Sequence, residues 1–154
     1  MEHPLVRGIN TRFDVPHSRW NDISPNEMNR VDQLVLVESP DAGVHLATSA
    51  DGLRLVFFQG HPEYDSFSLL KEYKREVNRY LSGEVEDYPP YPDNYFTEEV
   101  FPVLEGFREE AEHARAKGSK VRAFPEKDVP VDNTWGDSGT VSYTHLRAHE
   151  TSLH

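Results

Sequence analysis

Residues 53–65 read LRLVFFQGHPEYD. An apolar run, Leu53–Phe58, is followed there by Gly60-His61-Pro62. Apolar side chains at nearly every position of Leu53–Phe58 are typical of a β-strand that is covered on both faces. We therefore predict that this run is a strand, and the most buried strand of the fold. The glycine and proline that follow it indicate a sharp end to the strand.

Two further apolar runs precede this strand, at Gln33–Ser39 and Val44–Ser49. Turn-forming residues separate the three runs, and Asp51-Gly52, between the second and the third, is a strong hairpin signal. The pattern predicts a β-meander that leads into the buried strand. The opening of the chain, to residue 29, has no sustained period and is predicted to be an ordered loop.

A helix is predicted after the glycine-histidine turn, because apolar residues recur there at helical spacing. Asp65 or Ser66 is expected to cap its N-terminus, and Gly83 to end it. Its apolar positions are Leu69, Leu70, Tyr73, Val77, Tyr80 and Leu81.

A second helix is predicted over Glu98–Lys117, with interruptions at Pro102 and Gly106. It overlaps an acidic segment, residues 84–112, which contains ten acidic side chains and one basic side chain. We interpret this segment as a solvated face, because a run of like charges is usually exposed.

The composition limits the class of protein. A chain of 154 residues with 36% hydrophobic residues has room for one globular domain. Its net charge of −11 argues against a nucleic-acid partner, and no apolar run approaches the roughly 18 residues that span a membrane. The chain has no cysteine, so it contains no disulfide, thiolate zinc site or cysteine nucleophile. Residues 1–4 lack a signal-peptide pattern, and a cytoplasmic location is expected.

A histidine and a carboxylate lie two residues apart directly after the predicted buried strand, at His61 and Glu63. In extended backbone both side chains point to the same side, so Glu63 can hold the His61 ring or stabilise its charged form. Histidine titrates near neutral pH, which suits a general base. The alternative interpretation is structural: a histidine that caps the strand end and a glutamate at a helix N-terminus.

Two further residues are candidates for ligand contacts. Ser18 follows Pro16-His17, without the Gly-x-Ser-x-Gly elbow that exposes a nucleophile, and ordinary turn chemistry is the favoured interpretation. Arg75 lies opposite the apolar stripe of the first predicted helix, so periodicity places it in solvent; beside a cleft it could bind a substrate carboxylate through two hydrogen bonds. No metal site is predicted, because the candidate histidines lack regular spacing; they are His3, His17, His45 and His61.

Several separated motifs resemble one known enzyme family, homoserine O-succinyltransferase. They stand in the order and spacing of that family: Leu5-Val6-Arg7-Gly8, Phe13 with Pro16–Arg19, Gly60–Asp65, Glu72-Tyr73 with Arg75, and Asn94–Phe96. The resemblance runs from about residue 3 to residue 141 and corresponds to the C-terminal half of the family's chain. It implies an α/β fold similar to class I glutamine amidotransferases, a flavodoxin-like three-layer domain.

The resemblance also implies a reaction. In that family, a cysteine upstream of the matching segment takes the acyl group from succinyl-CoA or acetyl-CoA as a thioester, and the hydroxyl of L-homoserine then attacks it. By resemblance, His61 is the catalytic base and Glu63 its partner, while Ser18 and Arg75 contact the amino-acid substrate. Acyl-CoA is then a co-substrate, and no bound cofactor is expected.

The sequence departs from the family pattern at both ends. The nucleophilic cysteine and the acyl-CoA contacts belong to an N-terminal half that these residues do not include, and residues 142–154 resemble a translated sequencing adapter. We therefore expect a fragment, with the acyltransferase segment at residues 1–141 and a disordered, non-native tail at residues 142–154. The expected partners are L-homoserine and acyl-CoA, without nucleic acid or membrane, and a homodimer is an open alternative for the full-length protein.

Two other functions stay open at this point. A glutamine amidotransferase-like hydrolase has a similar arrangement of cysteine, histidine and glutamate, but amide hydrolysis does not need Ser18 and Arg75. A binding module that never catalyses is consistent with the absence of cysteine. Because they contain no cysteine, we expect these 154 residues alone to be inactive as an acyltransferase.

Overall fold

The computed structural model describes residues 3–9, 12–19, 21, 23–52 and 54–136. They form two compact units, one built from the chain up to Tyr64 and from Thr134 onward, the other from Asp65–Asn133. The predicted α/β class is confirmed. The boundary predicted between residues 1–141 and the tail at residues 142–154 lies outside the described residues.

The first unit contains the predicted β-meander, an antiparallel sheet in the order β1-β2-β3. β1 spans Gln33–Ser39, β2 spans Gly43–Ser49 and β3 spans Val56–Phe58. β1 has two register shifts opposite β2, one on each side of Val37. A bulge of this kind bends and twists a strand locally.

The most buried strand is β2, so the prediction that assigned this place to Leu53–Phe58 is wrong. β2 has a paired strand on each side, and five consecutive residues from Val44 to Thr48 are buried. β3 is a short edge strand, in which Phe57 is 39% exposed, and Leu55 just before it is 53% exposed. An apolar run thus predicts a buried strand, but which strand of a sheet is most buried depends on the strands and helices that pack beside it.

A short helix, α1, spans Pro25–Arg30, where the sequence analysis predicted only loop. Ser24 and Glu27 form a reciprocal capping box, and Pro25 occupies the first turn, where its missing N–H costs nothing. The backbone and hydroxyl hydrogen bonds from Ser24 lower the pKa of the Glu27 carboxyl. Met28 packs with Val44 and Ala47, so α1 covers part of the sheet.

The second unit contains two α-helices, α2 over Ser68–Leu81 and α3 over Phe101–Lys117, and a 3-10 turn over Glu126–Asp128. Four of the six predicted stripe residues of α2 are buried, whereas Leu69 and Leu81 are half-buried. α3 contributes to the same apolar core. The buried helical residues of this core are Leu70, Tyr73, Val77, Tyr80, Leu104, Phe107 and Ala111.

The structure corrects two details of these helices and agrees with a third. α2 begins after Phe67 rather than at the predicted caps, because the Asp65 carboxylate accepts hydrogen bonds from the Phe67 N–H and the Ser68 hydroxyl and so shapes the preceding turn. Gly83 follows the end of α2 with a φ of 80°, as its predicted role requires. α3 runs without interruption, because Pro102 lies in its first turn and Gly106 fits within it.

The acidic segment at residues 84–112 is a solvated face, as predicted. All ten of its acidic side chains are exposed. Two tyrosines of the same segment, Tyr88 and Tyr91, are partly buried and pack against the apolar core of the second unit. Within the described ranges, no helix is long and apolar enough to cross a lipid bilayer.

Candidate functional site

His61 and Glu63 meet in the turn that follows β3. His61 Nδ1 lies 2.9 Å from Glu63 Oε1. A carboxylate can only accept a hydrogen bond, so Nδ1 donates, and in the neutral ring the lone pair is left on Nε2. About a third of the His61 side chain is exposed, so the ring is accessible to a ligand. The pair therefore has the arrangement of a base and the group that orients it.

A tyrosine that the sequence analysis did not select packs on the same imidazole. The rings of His61 and Tyr64 are stacked, with centroids 4.3 Å apart and planes 15° apart. The carbonyl oxygen of Tyr64 accepts a hydrogen bond of 2.7 Å from the indole Nε1 of Trp135. The His61 ring is thus held by a carboxylate at its edge and an aromatic ring against its face.

The loop that carries Ser18 is tied to the backbone of this turn. The His61 N–H donates to the Pro16 carbonyl oxygen at 2.8 Å. Ser18 lies two residues farther along the same loop and is partly buried. The first unit therefore contains three of the four residues that the sequence analysis selected: His61 and Glu63 are in contact, and Ser18 lies on the loop bonded to the His61 backbone.

Gly60 occupies a position between the loop and β2 where no side chain fits. A β-carbon at Gly60 would stand 2.8 Å from His45 Nδ1 and 3.0 Å from His17 Nε2, and it would also overlap Val15. Such distances are below ordinary van der Waals contact. The backbone at Gly60 is therefore in direct contact with two imidazole rings.

The two imidazoles differ in their surroundings. His17 Nδ1 lies 2.6 Å from Arg19 Nη1, while Arg19 Nη2 donates to the Ala42 carbonyl oxygen at 2.5 Å. His45 is 5% exposed, its Nδ1 has no hydrogen-bond partner, and its ring lies against Phe13 and Phe58 edge to face. Burial first, and the proximity of the His17 imidazole second, lower the pKa of the His45 imidazole to about 4.

The buried His45 predicts a stability that falls in mild acid. Between pH 6.5 and about 4, the unfolded chain takes up a proton at this imidazole and the folded chain does not. The free energy of unfolding should therefore decrease as the pH falls through this window, by about 3 kcal/mol, and level off below it. Urea unfolding at several pH values, with His45→Phe as the comparison, measures this contribution. A stability difference between the two proteins that is constant from pH 7 to pH 4.5 would contradict the assignment.

Arg75 lies in the second unit, on α2, and its side chain is 65% exposed, as periodicity predicted. Its Nε donates to Glu76 at 3.3 Å. It borders a shallow groove of about 480 Å³, to which Lys71, Lys74 and Arg79 also contribute. The guanidinium is thus accessible to an anionic ligand.

The histidines do not assemble into a metal site in the part of the chain that the structure describes, where no three metal-binding side chains converge. His3 Nε2 pairs with the Gly52 carbonyl oxygen at 2.8 Å. His61 faces Glu63, and among the described histidines His17 and His45 are neighbours, with ring centroids 5.8 Å apart.

Comparison with known proteins gives a consistent result. A profile of the homoserine O-succinyltransferase family matches residues 1–141. A homoserine O-succinyltransferase of Thioalkalivibrio nitratireducens is 57% identical over 138 residues, which make up 88% of this chain and 39% of the relative. Proteins of the same name from Methylobacter tundripaludum and Allochromatium vinosum are 50% and 54% identical, over 93% and 88% of this chain and 41% and 39% of their own lengths. The chain therefore spans about two fifths of the length of these relatives.

Proposed function

Because this chain belongs to the homoserine O-succinyltransferase family, we propose that it is the base-bearing part of a homoserine O-acyltransferase. The whole enzyme would transfer a succinyl or acetyl group from acyl-CoA to the hydroxyl of L-homoserine. The cysteine that carries the acyl group would belong to a part of the protein outside these 154 residues, and the complete domain would have the class I glutamine amidotransferase-like fold. The observation that carries the proposal is the contact of 2.9 Å between His61 and Glu63 inside the matched segment.

The proposed chemistry is a double displacement. The cysteine thiol gives its proton to His61 and the resulting thiolate attacks the acyl-CoA carbonyl, so a new C–S bond forms, the bond to CoA breaks, and the CoA thiolate leaves with the proton that His61 held. His61 Nε2 then takes the proton from the homoserine hydroxyl while its oxygen attacks the thioester. The C–O ester bond forms, the C–S bond to cysteine breaks, and the proton passes from His61 to the departing sulfur.

Glu63 has an orienting and electrostatic part in this scheme. Its contact at Nδ1 leaves the His61 lone pair on Nε2, and its negative charge stabilises the imidazolium that forms during proton transfer. The stacked ring of Tyr64 limits rotation of the imidazole. Ser18 and Arg75 are proposed to contact homoserine, Ser18 with its hydroxyl and Arg75 by binding the carboxylate.

The direct test is a full-length chimaera, in which this chain follows the part of the Thioalkalivibrio nitratireducens relative that precedes its matching segment. We expect CoA release that requires both homoserine and succinyl-CoA or acetyl-CoA, and the preferred donor identifies the acyl group. Glutamine serves as the control substrate. Ammonia release from glutamine, with no homoserine-dependent CoA release, would replace the proposal with an amidotransferase-like hydrolase.

The proposed role of Arg75 predicts a selective defect in the chimaera. Arg75→Lys should raise the KM for homoserine about tenfold, because an ammonium cannot form the two parallel hydrogen bonds of a guanidinium with a carboxylate. The KM for acyl-CoA should change little. Arg79→Lys is the matched control, since Arg79 borders the same groove but is paired with Glu76 and Glu84. Equal changes in both KM values would contradict a contact between Arg75 and the homoserine carboxylate, and Arg75 would then be an ordinary solvent-exposed side chain.

A further inference from the structure

We propose that His17 is a positioning residue for His61, held in place by Arg19 on one side and by the buried His45 on the other. The proposal rests on the proposed function, because it concerns the placement of the catalytic base. It assigns His17 no contact with substrate. Its effect on His61 passes through the backbone of Gly60.

Two backbone hydrogen bonds fix the chain on either side of Gly60. The Gln59 N–H donates to the His45 carbonyl oxygen at 2.8 Å, and the His61 N–H donates to the Pro16 carbonyl oxygen, also at 2.8 Å. One bond ties Gln59 to the central strand β2, and the other ties His61 to the residue before His17. The position of the His61 backbone therefore depends on where the loop at Pro16 and His17 lies.

The imidazole of His17 fills the space beside Gly60. Its Nε2 lies 3.0 Å from the point where a β-carbon of Gly60 would stand, and His45 Nδ1 lies 2.8 Å from the same point. Because glycine has no β-carbon, both imidazole rings can lie against its backbone without a steric clash. Without the His17 ring, one wall of this contact is missing, and the turn that holds His61 can shift toward the gap.

Arg19 determines which nitrogen of His17 carries the proton. A guanidinium has only donors, so the contact of 2.6 Å requires that His17 Nδ1 accepts, and the neutral ring carries its proton on Nε2. The other terminal nitrogen of the guanidinium, Nη2, donates to the Ala42 carbonyl oxygen, in the turn before β2. Arg19 thus links the His17 ring to the sheet and disfavours a positive charge on that ring.

The charged and titratable groups that face His17 are consistent with a neutral ring. Arg19 lies on its own loop, and His45 lies on β2 at a centroid distance of 5.8 Å. Arg19 is a permanent cation and His45 is a base, so a proton on His17 would place a second positive charge beside Arg19 and a positive charge beside His45. The arrangement therefore favours a fixed neutral imidazole over a group that takes part in proton transfer.

The test compares four variants of the full-length chimaera: His17→Ala, His17→Asn, Arg19→Gln and Arg12→Gln. We expect His17→Ala to lower kcat for acyl transfer by about 10²-fold with little change in the KM for acyl-CoA, because a misplaced base loses its near-attack geometry. His17→Asn keeps an acceptor for Arg19 and should recover most of this loss. Arg12 is exposed, and Arg12→Gln is the control that should keep the original kcat.

Two further readouts separate positioning from general damage to the fold. The ¹⁵N shifts of the His17 ring should report a protonated Nε2 and an unprotonated Nδ1 in the parent chimaera, and Arg19→Gln should disturb this tautomer. Thermal unfolding shows which variants fold, and Arg19→Gln carries the kinetic test if His17→Ala does not fold. An active parent whose kcat is unchanged in the folded variants would overturn the positioning role alone. An inactive parent would overturn the proposed function, and the positioning role with it.

Discussion

Replacing His61 with alanine in the full-length chimaera should lower kcat for acyl transfer by about 10³-fold, close to inactivity. The imidazole is the group proposed to take the proton from the homoserine hydroxyl, and alanine leaves no base in its place. Steady-state CoA release with saturating homoserine and acyl-CoA measures the effect. His113→Ala is the matched control, because His113 is an exposed histidine on α3 and should tolerate the same change.

Replacing Glu63, the hydrogen-bond partner of His61, should lower kcat less than replacing His61 does. Glu63→Gln keeps an oxygen that can accept the Nδ1–H but removes the charge that stabilises the imidazolium, so we expect a smaller loss, on the order of 10-fold to 100-fold. The order of the two effects is the informative result. Normal activity in His61→Ala would remove the catalytic assignment, and a larger loss in Glu63→Gln would give the carboxylate the leading role.

The second large effect is the complete absence of acyl transfer by the 154-residue chain on its own. The chain contains no cysteine, so no thioester can form on it by the proposed route. Ser18 does not replace the cysteine, because its loop lacks the strained elbow that activates a serine. Mixing the chain with a separately expressed N-terminal part of the relative should restore turnover if the two parts associate.

This experiment has a clear opposing result. Turnover by the chain alone, above the level of its own His61→Ala variant, would require a different nucleophile and would overturn the thioester scheme. Ser18 would then be the first residue to replace, because its loop is hydrogen-bonded to the backbone of His61.

Much of the fold could be predicted from local patterns. The limits of β1, the path of the meander and the buried face of α2 follow from apolar spacing and turn residues, which act over a few positions. The contact between His61 and Glu63 could also be anticipated, because two residues at that spacing already lie on one side of the chain.

The remaining features depend on neighbours that are distant in sequence. β2 is the central strand because it pairs with both β1 and β3, and no property of its own residues encodes that place. The surroundings of Gly60 arise from three separate segments, at residues 13–19, 43–49 and 56–61. α1 is different, since Ser24-Pro25 with Glu27 is a local capping signal that the sequence analysis missed because the helix is only six residues long.

The indole of Trp135 can report changes at this site through its intrinsic fluorescence. Its ring is 5% exposed, and its N–H is bonded to the backbone of Tyr64, the residue whose ring lies on His61. Indole fluorescence responds to local polarity and to hydrogen bonding, so its emission will follow displacements of this turn. The chain has only one other tryptophan, and a Trp20→Phe background leaves Trp135 as its single indole chromophore. Ligand occupancy at His61 can then be recorded by intrinsic emission, without a chemical label.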